Sequence, residues 1–282
     1  MWFPRSASQP GGVPHPNSPR ESGWLRHPQF HYFPEVTRLD QALVERGLCV
    51  SREKAKRAIL AGQVRVNDQT AHKPSDSIRP QDQLSLVAPE KFVSRGGLKL
   101  EHALAHFRVE VAACTAMDLG ASTGGFTDCL LQRGAAKVFA VDVGQGQLAW
   151  KLRQDSRVVV MEKTNARLLT PARFPPPFAP VDLVVIDCSF ISLRKILPPA
   201  VALLRSAGRI LALIKPQFEA GKVEADRGAG VIRDPAIHQR VLQELNAFVT
   251  AQPGLRWVGV TESPAPGRAG NKEFLVLIEK VG

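Results

Sequence analysis

The chain has 282 residues, enough for one large domain and a small one, and its 44% hydrophobic and 22% charged residues are typical of globular proteins. Its net charge of +11 favours an anionic partner, nucleic acid before a membrane surface. No apolar run approaches the roughly 18 residues of a membrane span and the N-terminus lacks the apolar core of a secretory signal, so we expect a cytoplasmic protein.

The four cysteines predict neither disulfides nor a metal site. They are scattered along the chain, lack Cys-x-x-Cys spacing and fall in apolar surroundings, a pattern typical of reduced, buried thiols. They are Cys49, Cys114, Cys129 and Cys188. We therefore expect no metal ion.

Residues 1–35 are rich in Pro, Gly, Ser, Arg and His. The prolines recur so closely that neither a helical nor a strand period survives. We predict a disordered, basic extension here.

Residues 36–87 predict a small unit of two helices and two short strands. The first helix begins near Leu39 and ends at Gly47. Ser51 is placed to cap the second helix, which carries basic residues around an apolar stripe and ends at Gly62. The strands are expected at 63–66 and 84–87.

This unit resembles the S4 domain, a small RNA-binding module found in a ribosomal protein and in RNA-modifying enzymes. The resemblance rests on Arg-Leu-Asp at 38–40, Ser-Arg-Glu-Lys-Ala-Lys-Arg-Ala-Ile at 51–59 and Gly-Gln-Val-Arg-Val-Asn at 62–67. It implies that the basic helix lies along an RNA backbone, in salt-dependent contacts that do not read sequence. The alternative is a solvated, charged helix face. The residues concerned are Arg38, Arg52, Lys54, Lys56 and Arg57.

Beyond a joining segment at 88–100, strands and helices alternate. Repeated βα units predict an α/β fold with a mostly parallel sheet, in which ligands bind at the carboxyl ends of the strands. Candidate strands lie at 116–119, 138–143, 158–161, 183–187, 210–215, 257–262 and 274–279. Candidate helices lie near 98–107, 126–133, 147–153, 193–204 and 235–251.

The stretch from Thr115 to Phe126 predicts a strand, a tight glycine turn and a helix. Glycines let the backbone approach a ligand closely, and the free N–H groups of a helix start favour an anionic group. The spacing matches neither the dinucleotide fingerprint nor the phosphate loop. Asp-Leu-Gly-Ala-Ser-Thr-Gly-Gly-Phe instead resembles the first motif of S-adenosylmethionine-dependent methyltransferases; an ordinary tight turn is the alternative. The cofactor contacts it implies are Asp118, Gly120, Ser122, Thr123, Gly124, Gly125 and Phe126.

Polar residues also close the next three strands, and parallel strands bring such residues to one sheet edge. Asp142 ends the second strand, where a carboxylate can accept both ribose hydroxyls of an adenosine. Asn165 follows the third and is placed to bond the adenine edge, although a cap or turn residue is equally typical there. Asp187 closes the fourth strand.

Two further charges fall on the same edge, because Lys215 closes the fifth strand and Glu273 begins the last. With Lys99 and Asp187 they form a Lys–Asp–Lys–Glu set that resembles the tetrad of the FtsJ-type RNA 2′-O-methyltransferases. The runs at 93–100, 120–128, 187–193 and 214–219 together resemble the TlyA (haemolysin A) family, whose members pair an S4 domain with this methyltransferase domain. Cys188 stands where that pattern has an apolar residue such as valine.

The resemblance implies an S4 domain over 36–92 and, over 93–282, a Rossmann-like domain that uses S-adenosylmethionine to methylate the ribose 2′-oxygen of cytidine in ribosomal RNA. Partners would be ribosomal RNA or ribosomal subunits, Arg95 would contact the RNA, and we expect a monomer without a metal.

A ribose hydroxyl needs a base, and a lysine serves as one near neutral pH only when its environment favours the uncharged amine. We predict Lys215 as that base and Lys99 as the neighbour that tunes it or stabilises the alkoxide. Asp187 would orient Lys215 and the methyl donor, and Glu273 would hold Lys99 and the ribose.

Three other functions stay open. The family name suggests a membrane-active haemolysin, which the absence of a signal, a spanning segment or a clear amphipathic membrane helix disfavours. An RNA-binding protein with an inactive methyltransferase fold is disfavoured by the complete tetrad. A base or protein methyltransferase is disfavoured because the chain has no Asn/Asp-Pro-Pro-Tyr motif.

Overall fold

A computed structural model of the chain describes residues 36–87, 91–267 and 269–281. The predicted extension at 1–35 therefore lies outside the described residues. The described residues fall into two compact units, with the division between residues 88 and 89.

The first unit packs two helices against short strands. Its elements are β1 (Thr37–Arg38), α1 (Leu39–Glu45), α2 (Arg52–Leu60), β2 (Val64–Val66), β3 (Gln69–Thr70), β4 (Ser77–Ile78) and β5 (Leu84–Leu86). Strand β2 pairs antiparallel with both β3 and β5, and β1 pairs with β4. The apolar stripes of both helices form one core with β2; its members include Leu39, Leu43, Ala55, Ile59 and Val64. The two predicted helices and the two predicted strands are all present.

Local chemistry explains where these elements begin and end. The Ser51 hydroxyl accepts a hydrogen bond from the Lys54 backbone N–H at 3.3 Å, which caps α2 as predicted. The β2–β3 hairpin turns through Asn67 and Asp68, whose φ angles of 48° and 65° are those of a tight two-residue turn. Strands β1, β3 and β4 have only two residues each, too short for a periodic signal in the sequence.

The second unit alternates strand and helix as predicted. Its strands are β6 (Thr115–Leu119), β7 (Lys137–Val141), β8 (Val158–Met161), β9 (Val181–Ile186), β10 (Leu204–Ile214), β11 (Leu255–Glu262) and β12 (Phe274–Lys280). Its helices are α3 (Gly96–His106), α4 (Gly125–Gln132), α5 (Trp150–Arg153), α6 (Leu193–Ala202), α7 (Pro216–Glu219), α8 (Lys222–Arg227) and α9 (Pro235–Thr250). The short helices α7 and α8 were not predicted, because neither is long enough to show a helical period.

The seven strands form one sheet in the order β11-β12-β10-β9-β6-β7-β8. The five strands β10, β9, β6, β7 and β8 are parallel to their neighbours. Strand β12 pairs antiparallel with β10, and β11 pairs antiparallel with β12. The carboxyl ends of β6 to β10 therefore meet at one edge, and the amino end of β12 returns to that same edge. The predicted α/β fold with a mostly parallel sheet is confirmed.

Apolar layers cover both faces of this sheet. Side chains of β10 alternate between them, since Ile210, Ala212 and Ile214 join one core cluster and Leu211 and Leu213 join the other. Burial on both faces explains why the central strands read as continuous apolar runs. No helix among the described residues is long and apolar enough to cross a membrane.

Candidate active site

Asp118 lies at the end of β6 and is completely buried. Its Oδ2 accepts hydrogen bonds from the backbone N–H of Thr127 at 2.9 Å and from the Thr127 hydroxyl at 2.7 Å. These bonds fasten the end of β6 to the first turn of α4. Burial, together with the nearby charges of Asp187 and Asp142, raises the pKa of Asp118 to about 7.

The predicted glycine turn connects β6 to α4. Gly120 has a φ of 89° and packs so closely on the next strand connection that a Cβ would lie 2.7 Å from the Asp187 carbonyl oxygen. Only glycine combines that conformation with that approach. Gly124 precedes α4, and Gly125 and Phe126 form the buried start of the helix, while Ser122 and Thr123 are exposed in the turn.

Asp142 follows β7 directly and holds two loops together. Its Oδ2 accepts from the Ser122 backbone N–H at 2.8 Å and its Oδ1 from the Gly144 N–H at 2.7 Å. The sequence predicts a strand through residue 143, but β7 ends at Val141, which frees Asp142 to take part in these turns.

Asn165 follows β8 at an exposed position. Its Oδ1 accepts a hydrogen bond from the Arg167 N–H at 3.0 Å and caps the short 3₁₀ turn Ala166–Leu168. The structure shows Asn165 as a capping residue. Its contact with an adenine edge stays a prediction.

The four predicted catalytic residues form two lysine–carboxylate pairs. Lys99 Nζ donates to Glu273 Oε2 at 2.5 Å, and the two residues are only 8% and 3% exposed. Lys215 Nζ lies 2.6 Å from Asp187 Oδ1 and forms an ion pair with it. The structure therefore contains both of the partnerships that the sequence analysis expects.

The register of the sheet places both pairs at the same edge. Ile214 faces Phe274 across β10 and β12, so Lys215 and Glu273 are neighbours just beyond the paired residues. Ala212 faces Ile186 across β10 and β9, which places Asp187 beside them on the other side. The Asp187 N–H donates to the Leu119 carbonyl at 2.9 Å and so joins the ion pairs to the glycine turn.

Residues 92–280 match the FtsJ-like methyltransferase family. The chain belongs to this family. Residues 37–84 match the S4 domain. This FtsJ-like methyltransferase is 51% identical to the candidate rRNA methyltransferase YqxC of Bacillus subtilis, over 87% of this chain and 86% of the relative. It is 46% identical to the 16S/23S rRNA (cytidine-2′-O)-methyltransferase TlyA of Mycobacterium tuberculosis, over 86% of this chain and 89% of the relative.

A solved structure of a candidate hemolysin from Streptococcus thermophilus is also similar to this FtsJ-like methyltransferase. It is 44% identical, has a TM-score of 0.66, and the match covers 88% of this chain and 90% of that one. The predicted Rossmann-like methyltransferase fold with an N-terminal S4 domain is thus confirmed.

The loop before β12 of the FtsJ-like domain is held by contacts that sequence reasoning missed. Asn271 is buried; its Oδ1 accepts from the Ile232 N–H at 2.9 Å and its Nδ2 donates to the Gly230 carbonyl at 2.8 Å. A Cβ at Gly267 would collide with Glu273 Oε1. Close packing of this loop therefore fixes the carboxylate that pairs with Lys99. The glycine- and proline-rich sequence signals a turn but not its partners.

Sequence reasoning also missed Ser189 and Phe190, which follow Asp187 in the chain. The Ser189 hydroxyl accepts a hydrogen bond from Lys215 Nζ at 2.8 Å. Phe190 is 90% exposed, has a φ of 61°, and its ring lies 5.1 Å from that of Phe218. A large aromatic exposed beside charged residues is a signal for binding, but exposure is invisible in the sequence.

The predicted RNA-binding residues of the S4 domain differ in their surroundings. Arg38 and Arg52 are about half exposed and each forms an ion pair at 3.1 Å with the fully buried Asp40. Arg57 pairs with Glu53 one turn away at 2.5 Å. Lys54 and Lys56 are exposed and form no ion pair with any described residue. In the other unit, Arg95 is exposed immediately before α3.

Proposed function

We propose that the chain transfers the methyl group of S-adenosylmethionine to the 2′-hydroxyl of a cytidine in ribosomal RNA. The observation that carries this proposal is the presence of two lysine–carboxylate pairs beside the glycine turn at one sheet edge. A relative 46% identical to this chain is named an rRNA (cytidine-2′-O)-methyltransferase, which supports the choice of substrate.

The residues around the glycine turn fit a cationic ligand. Asp118 Oδ1 is buried and has no hydrogen-bond partner among the described residues, and the charges of Asp142 and Asp187 act on it. S-adenosylmethionine brings an ammonium and a sulfonium, and supplies a methyl group ready for transfer. Asp142 would hold its ribose hydroxyls, and the N–H groups of the turn and the α4 start would hold its carboxylate.

The chain's own residues would prepare the nucleophile. Lys215, as the uncharged amine, would take the proton of the ribose 2′-hydroxyl on its Nζ. The Asp187 carboxylate would hold it in place and stabilise the ammonium that forms. Lys99, held by Glu273, would stabilise the negative charge that develops on the ribose oxygen. Lys99 lies on helix α3, and the other three groups directly adjoin packed strands. Positioning of the reacting atoms would therefore supply much of the acceleration.

Features of both units suit RNA. Only RNA carries the 2′-hydroxyl that the lysine pairs would activate. Phe190 presents an exposed ring on which an unstacked base could stack, next to Asp187 and Ser189. The exposed lysines of α2 would bind phosphates without reading sequence.

The test is transfer from labelled S-adenosylmethionine to ribosomal RNA, with the modified atom mapped by mass spectrometry. Lys215→Ala should abolish transfer while leaving cofactor and RNA binding nearly intact, and Lys215→Arg should fail too because arginine stays protonated. Lys195→Ala, an exposed lysine of α6, is the matched control and should keep full activity. Label on a base or on protein would contradict the proposed reaction. Near-full activity of Lys215→Arg would contradict the role of Lys215 as the base.

Direct measurements distinguish two of the alternative functions from RNA methylation. An RNA-binding protein with an inactive fold would bind RNA but show no heat of S-adenosylmethionine binding in calorimetry. Membrane lysis is the activity suggested by the name hemolysin, which the similar Streptococcus thermophilus structure carries. Red-cell lysis by the purified protein that survives Lys215→Ala would establish an activity separate from methylation.

A further inference from the structure

Ser189 contacts Lys215, the proposed base, but has no role in the mechanism described above. Its hydroxyl accepts a hydrogen bond from Lys215 Nζ at 2.8 Å. Lys215 itself is 9% exposed, whereas Ser189 lies on the exposed side of the site. Ser189 is therefore the surface group through which Lys215 meets the space that a substrate must enter.

Two partners fix the direction of the lysine amine. A lysine ends in a flexible four-carbon stem with three rotatable donors, so that one ionic partner leaves much of its motion free. Asp187 supplies the ionic contact, at 2.6 Å from Nζ. The Ser189 bond adds the directional contact, and it leaves one Nζ position for the ribose hydroxyl.

The backbone of this connection is bent in a way that few aromatic residues tolerate. Phe190 lies in the left-handed region with a φ of 61°, a conformation unfavourable for residues with a Cβ. The bend separates two neighbouring side chains: the hydroxyl of Ser189 meets Lys215, whereas the Phe190 ring stays 90% exposed. Strained backbone of this kind is common at functional sites.

We propose that Ser189 is a positioning residue, whose hydroxyl aims the Lys215 amine at the incoming ribose 2′-hydroxyl. This inference rests on the proposed function. It acts on the reaction step and not on binding, since the Ser189 hydroxyl bonds directly to the proposed base.

The experiment compares Ser189→Ala and Ser189→Thr in the full chain, with Ser206→Ala, an exposed serine of β10, as the control. The single-turnover rate of methyl transfer to ribosomal RNA is measured at saturating cofactor, and the dissociation constants for cofactor and RNA are measured separately. Ser189→Ala should lose roughly 10- to 100-fold in rate, the scale of a hydrogen bond to a charged group, with both constants unchanged. Ser189→Thr, which keeps the hydroxyl at an exposed position, should stay within about threefold of the wild type.

Three results would overturn the positioning role: full activity of Ser189→Ala, a matching loss of cofactor or RNA affinity, or failure of threonine to restore the rate. Each is separate from the failure of the proposed function, which would appear as absent methyl transfer in the wild type itself.

Discussion

Replacing the buried carboxyl of Asp118 with an amide should change how the stability of the second unit depends on pH. The pKa of this group is raised from 3.8 to about 7, chiefly by burial. Between those values the folded chain holds the proton and the unfolded chain does not, so the free energy of unfolding falls as the pH rises. At about 1.4 kcal/mol per pKa unit, the interval corresponds to a loss of about 4 kcal/mol between pH 4 and pH 7.

Asp118→Asn keeps an oxygen to accept both Thr127 bonds but places an N–H₂ group where Oδ1 has no partner. That buried amide costs about 1–3 kcal/mol at every pH. The variant should therefore be less stable than the wild type near pH 4, and the difference should shrink or reverse by pH 8.

The assay is urea unfolding of the ligand-free chain at several pH values, followed by tryptophan fluorescence; Trp150 and Trp257 lie in the second unit. Asp226→Asn, an exposed carboxyl, is the control and should track the wild type at each pH. A stability difference between Asp118→Asn and wild type that stays constant from pH 4 to pH 8 would refute the reasoning.

Four other predictions follow from the described contacts. Glu273→Ala leaves the Lys99 charge buried without its partner and should lower the free energy of unfolding by about 3–5 kcal/mol in urea titrations. Asp142→Ala should weaken S-adenosylmethionine binding in calorimetry by about 1.5–3 kcal/mol, and unchanged affinity would remove Asp142 from the cofactor site. Neutralising Lys54 and Lys56 together should make the plot of log binding constant against log salt concentration less steep, by the amount expected for roughly two lost phosphate contacts. Phe190→Ala should weaken RNA binding by about 1–3 kcal/mol, the scale of one stacked base, without changing cofactor affinity.

The amino-acid sequence by itself determined the order of elements and the edge at which polar residues gather. Apolar runs at Asp118, Asp142 and Asp187 alternate with helical segments, which predicts parallel strands, and parallel strands bring their carboxyl ends together. The same runs, with the glycine turn between β6 and α4, were sufficient to recognise the methyltransferase domain. These features are local, because turn chemistry and periodicity are carried by residues near each other in the chain.

Only the tertiary structure decided how each of these side chains is surrounded. Lys99 and Glu273 lie 174 residues apart in the chain, and their contact depends on the return of β12 to the edge beside β10. Burial of Asp118, and with it the raised pKa, arises because strands and helices distant in sequence enclose it. The Ser189 bond to Lys215 joins residues 26 apart in the chain, beyond the ends of two different strands. Burial and non-local contacts are properties of the packed chain, so these features came from the fold and not from the pattern.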